Sequence, residues 1–204
     1  MKLEGEFTFN GSRQEVWDLL QDPDILANSL PGTKNMQKIG EDEYRGEMVV
    51  KVGPLNGVFT ANIKLSDKIP PESYTMLVES KGNVGFANGT AKIELTEKVE
   101  KSTLMKYTAE LQVGGRLAGV GQRMLDTVGR SLTRQGLEAM NNALKARMSS
   151  NSGEEQKFVP PSQSDIARSV AKDVMKESLL TNKVVWAVAA LIILIVVVLI
   201  VINK

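Results

Sequence analysis

The feature that most constrains this chain is an unbroken apolar stretch at residues 184–202 of its 204-residue sequence. These nineteen residues include no charged, hydroxyl or amide side chain. As an α-helix, at about 1.5 Å per residue, they would span roughly 29 Å, close to the ~30 Å hydrocarbon thickness of a bilayer. A buried core helix is the alternative, but it would need protein around it on all sides. The stretch therefore predicts a transmembrane helix.

Basic residues are distributed unevenly around the predicted span. Lys204 follows it, whereas four basic residues precede it, and these are Arg168, Lys172, Lys176 and Lys183. Because positively charged flanks favour the cytoplasmic side, the preceding domain is predicted to be cytoplasmic. Residues 1–10 alternate apolar and polar side chains and do not resemble a secretory signal. We therefore expect a cell-membrane protein with a single C-terminal span.

The remainder of the chain divides into a domain and a connection to the span. Residues 1–148 have the length of one ordinary domain. Residues 149–163 are polar and contain two adjacent prolines, which predicts a flexible linker. Residues 164–183 follow a capping box between Ser162 and Asp165 and carry apolar residues at helical spacing. This segment is predicted to be a juxtamembrane amphipathic helix.

Two residue types are missing from the sequence, and their absence narrows the chemistry. The chain has no cysteine and no histidine. This removes disulfides, thiolate nucleophiles, the usual general base and the commonest transition-metal ligands. The 25 basic and 24 acidic side chains leave no electrostatic footprint for a nucleic acid. We therefore expect no catalytic residue, no metal site and no nucleic-acid partner.

The beginning of the chain predicts a strand followed by two short helices. Residues 3–9 alternate apolar and polar side chains, as a half-buried strand does. Ser12 and Glu15 have the spacing of a capping box at the start of a first helix. Asp22 and Pro23 suit the N-cap and first position of a second helix.

The rest of the domain predicts a sheet covered by one long helix. Between residues 33 and 113, alternating segments separated by turn residues predict six further strands. Residues 115–148 place apolar side chains on one side of a helix and basic side chains on the other. The fold class is therefore α+β. A seven-stranded antiparallel sheet wraps on a long C-terminal helix, with two short helices after strand 1.

Three glycines, Gly121, Gly129 and Gly136, lie on or beside the apolar side of the predicted last helix. Each costs a helix interior about 1 kcal/mol relative to alanine, so some gain must compensate. One explanation is close approach of the helix to the sheet. The other is that the missing side chains leave space for a ligand between helix and sheet. Methionines at inward positions favour that space, because they adapt to irregular apolar surfaces.

Short motifs along residues 1–146 give the domain a resemblance to a known family. They are Glu15-Val16-Trp17, Asp22-Pro23, Leu30-Pro31-Gly32, Glu43-Tyr44-Arg45-Gly46, Lys51-Val52-Gly53-Pro54, Gly85-Phe86-Ala87-Asn88-Gly89-Thr90-Ala91 and Val113-Gly114-Gly115. In this order and spacing they resemble the CoxG family of carbon monoxide dehydrogenase subunits, a branch of the START-like (SRPBCC) superfamily. The resemblance implies a helix-grip fold.

The resemblance also implies a function that the residues alone do not. Members of the family accompany molybdenum CO dehydrogenases or related hydroxylases and are thought to help bring that enzyme to the membrane. Their superfamily encloses an apolar cavity for lipid-like ligands. We therefore expect a membrane-anchored accessory protein, not an enzyme. It would bind a quinone or another isoprenoid lipid and link the dehydrogenase to the membrane quinone pool.

Three alternatives remain open. The chain could be an adaptor that recruits the dehydrogenase without a bound ligand. It could be a lipid-binding protein for an unrelated oxidoreductase. An enzyme acting on an apolar substrate is the third alternative, which the missing histidine disfavours.

The residues expected to line the cavity point inward from the predicted sheet and helices, and ordinary core packing is the alternative for each. Tyr44 and Tyr107 could hydrogen-bond a quinone carbonyl, although a buried tyrosine often bonds the backbone instead. The predicted ligand-binding residues are Leu26, Leu30, Pro31, Tyr44, Met48, Phe59, Ile63, Met76, Tyr107, Leu117, Gly121, Met124, Leu125, Val128 and Leu132.

Four arginines share the polar side of the predicted last helix: Arg116, Arg123, Arg130 and Arg134. They could bind acidic lipid headgroups or an acidic patch on a partner enzyme. A solvated surface without a partner is the alternative.

Overall fold

The computed structural model describes residues 1–52, 55–99 and 101–150. The predicted juxtamembrane and transmembrane helices, and the predicted linker beyond its first two residues, lie outside these ranges. Within them, no helix is both long enough and apolar enough to cross a membrane. The described part corresponds to the predicted N-terminal domain.

Turn residues divide the domain into strands and helices close to where the sequence predicts them. The elements are β1 (Lys2–Phe9), α1 (Arg13–Leu20), α2 (Pro23–Ser29), β2 (Thr33–Lys38), β3 (Glu43–Val52), β4 (Leu55–Ile69), β5 (Ser73–Gly82), β6 (Gly85–Lys98), β7 (Ser102–Gly114), a 3-10 segment (Gly115–Val120) and α3 (Gln122–Ser150).

All seven strands belong to one antiparallel sheet, in the order β1-β7-β6-β5-β4-β3-β2. Strands β2 to β7 follow one another as hairpins. Strand β1 pairs with β7, from Lys2 opposite Glu110 to Phe9 opposite Thr103. Because successive side chains point to opposite faces, one face of the sheet is apolar and the other is polar. The predicted seven-stranded antiparallel sheet with a covering C-terminal helix is confirmed.

The two short helices begin at the predicted caps. The backbone N–H of Ser12 donates to the Glu15 carboxylate at 2.8 Å, and the Glu15 N–H donates to Ser12 Oγ at 3.4 Å. In α2, Asp22 Oδ1 accepts from the N–H groups of the second and third helical residues at 2.9 and 3.1 Å. These contacts satisfy donors that every helix start leaves unpaired.

The long helix begins later than the sequence predicts. We expected it from residue 115, but α3 begins at Gln122, after the 3-10 segment. Gly115 and Gly121 lie at the two ends of that segment with φ of +71° and +90°. Such values are incompatible with an α-helix and are readily adopted only by glycine. Arg116 and Leu117 therefore lie on the 3-10 segment, and Gly121 lies outside the helix.

The position of α3 is fixed by contacts with β1 and the segment after it. The backbone N–H of Asn10 donates to Asn141 Oδ1 at 2.9 Å, and Asn141 Nδ2 donates to Asn10 Oδ1 at 3.0 Å. Nearer the start of α3, a Cβ atom at Gly129 would lie 3.1 Å from Leu3 Cδ1. The helix is therefore held against the sheet at two well-separated points.

Apolar side chains between the sheet and the helices form two clusters. The α1 cluster contains, among others, Phe9, Val16, Leu19, Leu95 and Leu144. The Phe59 cluster has four buried members and seven half-buried neighbours. The buried members are Phe59, Val84, Leu117 and Val128, and the neighbours include Met48, Met124, Leu125 and Leu132.

Candidate functional site

A cavity of about 340 Å³ lies between the inner face of the sheet, α2 and the second half of α3. Strands β2 to β7 supply most of its lining, and the three helices supply the rest. The lining residues are Leu20, Leu26, Leu30, Thr33, Met36, Tyr44, Gly46, Glu47, Met48, Ala61, Ile63, Leu65, Tyr74, Met76, Val78, Ile93, Met105, Thr133, Gly136, Leu137 and Met140.

Small residues contribute to this space. Gly46 and Ala61 are direct neighbours across the β3–β4 pair, and both line the cavity. Gly136 lines it from α3. A Cβ atom at Gly136 would lie 3.3 Å from Leu30 Cδ2, so this glycine also lets the segment after α2 approach α3. Both explanations offered for the helix glycines therefore apply at Gly136, whereas Gly129 is a position of close approach.

The lining is almost wholly apolar, and two of its polar groups already have partners. The Glu47 carboxylate pairs with Lys34 Nζ at 2.8 Å. The Thr133 hydroxyl donates to the Gly129 carbonyl at 2.9 Å. Among the described residues around the cavity there is no lysine or arginine. An anionic ligand would therefore lose its hydration without gaining a counter-charge from the lining.

Two buried tyrosines line the cavity, and their hydroxyls differ in hydrogen bonding. Tyr44, which is 2% exposed, donates its hydroxyl to the Gln21 carbonyl at 3.0 Å. Tyr74, which is 5% exposed, packs edge-on against Trp17 with ring centroids 5.6 Å apart. Within the described part of the chain, the Tyr74 hydroxyl has no hydrogen-bond partner. Burial raises the pKa of both phenols, so both stay protonated at neutral pH.

Six of the predicted ligand-binding residues meet around the cavity. Four are inward-facing strand residues, and two lie in or directly after α2. They are Leu26, Leu30, Tyr44, Met48, Ile63 and Met76. Their placement agrees with the expected geometry, and their contact with a ligand stays a prediction.

The other nine predicted residues do not line the cavity. Pro31 is buried behind Gly136, 4.0 Å from the position of a Cβ atom there. Tyr107 lies across Gly5 of β1, where a Cβ atom would be 2.8 Å from the Tyr107 Cζ. Gly121 precedes the helix. The remaining six belong to the Phe59 cluster: Phe59, Leu117, Met124, Leu125, Val128 and Leu132.

The reason for this correction is the position of the Phe59 cluster. We expected the first half of the last helix to cover the space, but that half packs closely on Phe59 and its neighbours. The contribution of α3 to the cavity starts just beyond the last residue we had predicted. It consists of Thr133, Gly136, Leu137 and Met140.

Several floor residues were missed although the sequence contains the signal for them. Each lies two positions from a residue that was predicted, and alternate residues of a strand share a face. These residues are Gly46, Ala61, Leu65, Tyr74 and Val78.

The four arginines of the predicted partner or membrane surface are all exposed and lie outside the cavity. Arg116 is on the 3-10 segment, and the other three are on α3. Arg134 pairs with Glu138 one turn later at 3.5 Å. Their role in binding a membrane or a partner stays a prediction.

Comparison with solved structures identifies proteins of the same fold. A conserved protein from Geobacillus kaustophilus is 32% identical with a TM-score of 0.68, over 71% of this chain and 95% of that one. The ZhuI aromatase/cyclase from Streptomyces sp. R1128 is 15% identical with a TM-score of 0.56, over 72% and 95% of the two chains. A START superfamily protein from Mycobacterium smegmatis is 10% identical with a TM-score of 0.55, over 71% and 97%. At the two lower identities the likeness shows the fold alone.

A family model gives a more specific match than the distant structures. No curated protein matches the sequence. The family model of the carbon monoxide dehydrogenase subunit CoxG matches residues 5–145. This range extends from β1 into the last turns of α3 and includes every residue around the cavity. The chain therefore belongs to the CoxG family of carbon monoxide dehydrogenase subunits.

Proposed function

We propose that the domain binds a neutral, lipid-like molecule in its apolar cavity as a non-catalytic accessory protein of a molybdenum CO dehydrogenase or related hydroxylase. The observation that carries the ligand-binding part is the 340 Å³ cavity itself. A space of this size in a core costs stability, because its lining loses contacts that close packing would provide. A bound apolar molecule restores those contacts.

The size and lining of the cavity suit one class of ligand. Ligand pockets usually measure about 300–1,000 Å³, so this cavity lies at the small end of the range. It has room for a ring system with a short tail, and a long isoprenoid tail would extend beyond it. Burial of apolar area, at ~25 cal/mol per Å², supplies the affinity. A quinone headgroup fits this description.

The family and the predicted span connect that ligand with a dehydrogenase. A soluble dehydrogenase must pass its electrons to an acceptor, and quinones are dissolved in the bilayer. The apolar stretch at residues 184–202 would keep the domain near that pool. In this proposal the domain takes up a quinone and presents it to the docked enzyme.

The ligand is tested on the full chain purified from its own membranes. We expect native mass spectrometry to detect a bound quinone or isoprenoid lipid, and titration with a short-chain quinone to saturate a single site. An empty protein that also fails to bind the quinone in titration would contradict the ligand-binding function. Co-purification of the dehydrogenase with such an empty protein would instead favour the adaptor without ligand.

The exposed arginines provide a test of the docking surface. A double variant, Arg123→Glu and Arg130→Glu, should weaken recruitment of the dehydrogenase to membranes containing this chain. The matched control reverses two exposed lysines on the outer face of the sheet, Lys81→Glu and Lys106→Glu. Equal recruitment by both double variants would show that the arginine surface is merely solvated.

A further inference from the structure

Tyr74 is a polar group within an otherwise apolar part of the cavity wall. It lies at the start of β5, opposite Ile93 of β6, and its ring is fixed edge-on by Trp17 at an interplanar angle of 86°. The residue is 5% exposed and lines the cavity. Its ring orientation is therefore determined by packing before any ligand binds.

The hydroxyl of Tyr74 differs from the other hydroxyls that could serve a ligand. Tyr44 already donates its hydroxyl to the Gln21 carbonyl at 3.0 Å, and Thr133 donates to Gly129 at 2.9 Å. Tyr107 does not line the cavity. The Tyr74 hydroxyl has no partner among the described residues. Buried polar groups are nearly always hydrogen-bonded, so a buried donor beside a cavity indicates an acceptor on the molecule that occupies it.

We propose that Tyr74 donates a hydrogen bond to a carbonyl oxygen of the cavity's ligand and thereby selects ring carbonyl compounds over hydrocarbons of the same shape. This inference rests on the ligand-binding function proposed above and specifies the chemistry of the same site. It replaces Tyr44 and Tyr107, the two tyrosines that the sequence suggested for this role.

The charge of the surroundings limits the acceptor to a neutral one. Burial raises the pKa of Tyr74, which keeps the phenol protonated and able to donate throughout the physiological range. The charged residue among the described lining residues is Glu47, which already pairs with Lys34. A carboxylate or phosphate would enter without a counter-charge, whereas a quinone carbonyl needs one donor only.

The selectivity test compares two probes and two variants of the full chain in detergent. The probes are menadione and methylnaphthalene, which share a fused ring and a methyl group and differ in the two carbonyls. We expect Tyr74→Phe to weaken menadione binding about three- to ten-fold, as loss of one hydrogen bond does, and to leave methylnaphthalene binding unchanged. The control, Tyr44→Phe, removes the same atom from the neighbouring tyrosine and should keep the preference for menadione.

Two further readouts separate recognition from a structural role. The carbonyl stretch of bound menadione should lie at lower frequency than in an apolar solvent, and Tyr74→Phe should abolish that shift. The Tm of ligand-free Tyr74→Phe should equal or exceed that of the wild type, because the change removes an unpartnered buried hydroxyl. A purely structural hydroxyl would instead lower the Tm.

Each remaining outcome assigns the failure to one claim. If both probes bind and Tyr74→Phe treats them as the wild type does, the carbonyl inference is overturned and the ligand-binding function stands. If neither probe binds the wild type, the ligand-binding function fails and this inference fails with it.

Discussion

The two ends of the space beneath α3 use similar apolar residues, yet one end is filled and the other contains a cavity. At the filled end, Phe59 on β4 meets Leu117 and Val128 from the chain that crosses above it. At the other end, Ala61 lies two residues further along the same face of β4, and Gly136 lies two turns further along α3. The difference between the ends is the size of the inward side chains, since both are apolar.

This contrast indicates what to look for when a cavity is sought in a fold of this kind. Hydrophobicity identifies the inner face of the sheet but does not distinguish packed from open regions. The volume of facing residues does, because protein interiors are otherwise packed as closely as organic crystals. The following predictions test the contrast, beginning with the largest expected effect.

Truncating a large side chain should be costly at the filled end and cheaper at the open end. Phe59→Ala should lower the free energy of unfolding by about 3–5 kcal/mol, because it creates a new cavity. Met76→Ala should cost about 2 kcal/mol or less, because Met76 already borders empty space. Urea unfolding of the detergent-solubilised chain measures both. Equal losses would mean that the two ends are packed alike.

Filling the cavity should abolish ligand binding with little effect on folding. Ala61→Phe places a phenyl ring in the space and should weaken quinone binding at least ten-fold, or about 1.4 kcal/mol. The control is Thr60→Phe, the preceding residue of β4, which points to the outer face of the sheet. Titration with a short-chain quinone should show wild-type affinity for the control. Retained affinity in Ala61→Phe would place the ligand elsewhere.

The two glycines within α3 should respond differently to alanine. Gly136→Ala should raise the free energy of unfolding by up to about 1 kcal/mol, because helix propensity improves and Leu30 can move away. Gly129→Ala should gain less, because its Cβ would be closer to its neighbours, Leu3 and Met1, at 3.1 and 3.2 Å. Thermal unfolding compares them. A larger gain at Gly129 would contradict this assignment of close approach.

The smallest effect should come from the ion pair between Asp22 and Arg147, which joins the start of α2 to the last turns of α3. The Arg147 side chain is 49% exposed, so Arg147→Met should cost less than about 1 kcal/mol at neutral pH. Burial favours a higher pKa for Asp22, but hydrogen bonds from Arg147 and from backbone N–H groups outweigh it and lower that pKa.

The pH dependence of this pair follows from the direction of the shift. A carboxylate whose folded pKa is lowered contributes its stability above its unfolded pKa of about 3.9, and loses it as the pH falls through the folded value. The wild type should therefore be more stable than Arg147→Met at pH 7, and the difference should shrink below about pH 4. A difference that is the same at pH 7 and pH 3 would argue against this pair.

The fold could be predicted closely from the sequence, and the site only in part. Alternation identified the strands, and local caps such as that between Ser12 and Glu15 located the helix starts, because both signals depend on near neighbours. The start of α3 was wrong because Gly121 adopts φ of +90°, which apolar periodicity does not encode. Tyr107 was misassigned because its ring lies over Gly5, a contact between strands that depends on register.

The reciprocal amide contact between Asn10 and Asn141 has a consequence for how this scaffold could accept a molecule of another size. Sliding or rotating the long helix would break both bonds at once, so a change of guest by helix displacement is disfavoured. The seven-residue helix α2 is the adjustable wall. Exchanging Leu26 and Leu30 would reshape the chamber while the rest of the frame stays in place.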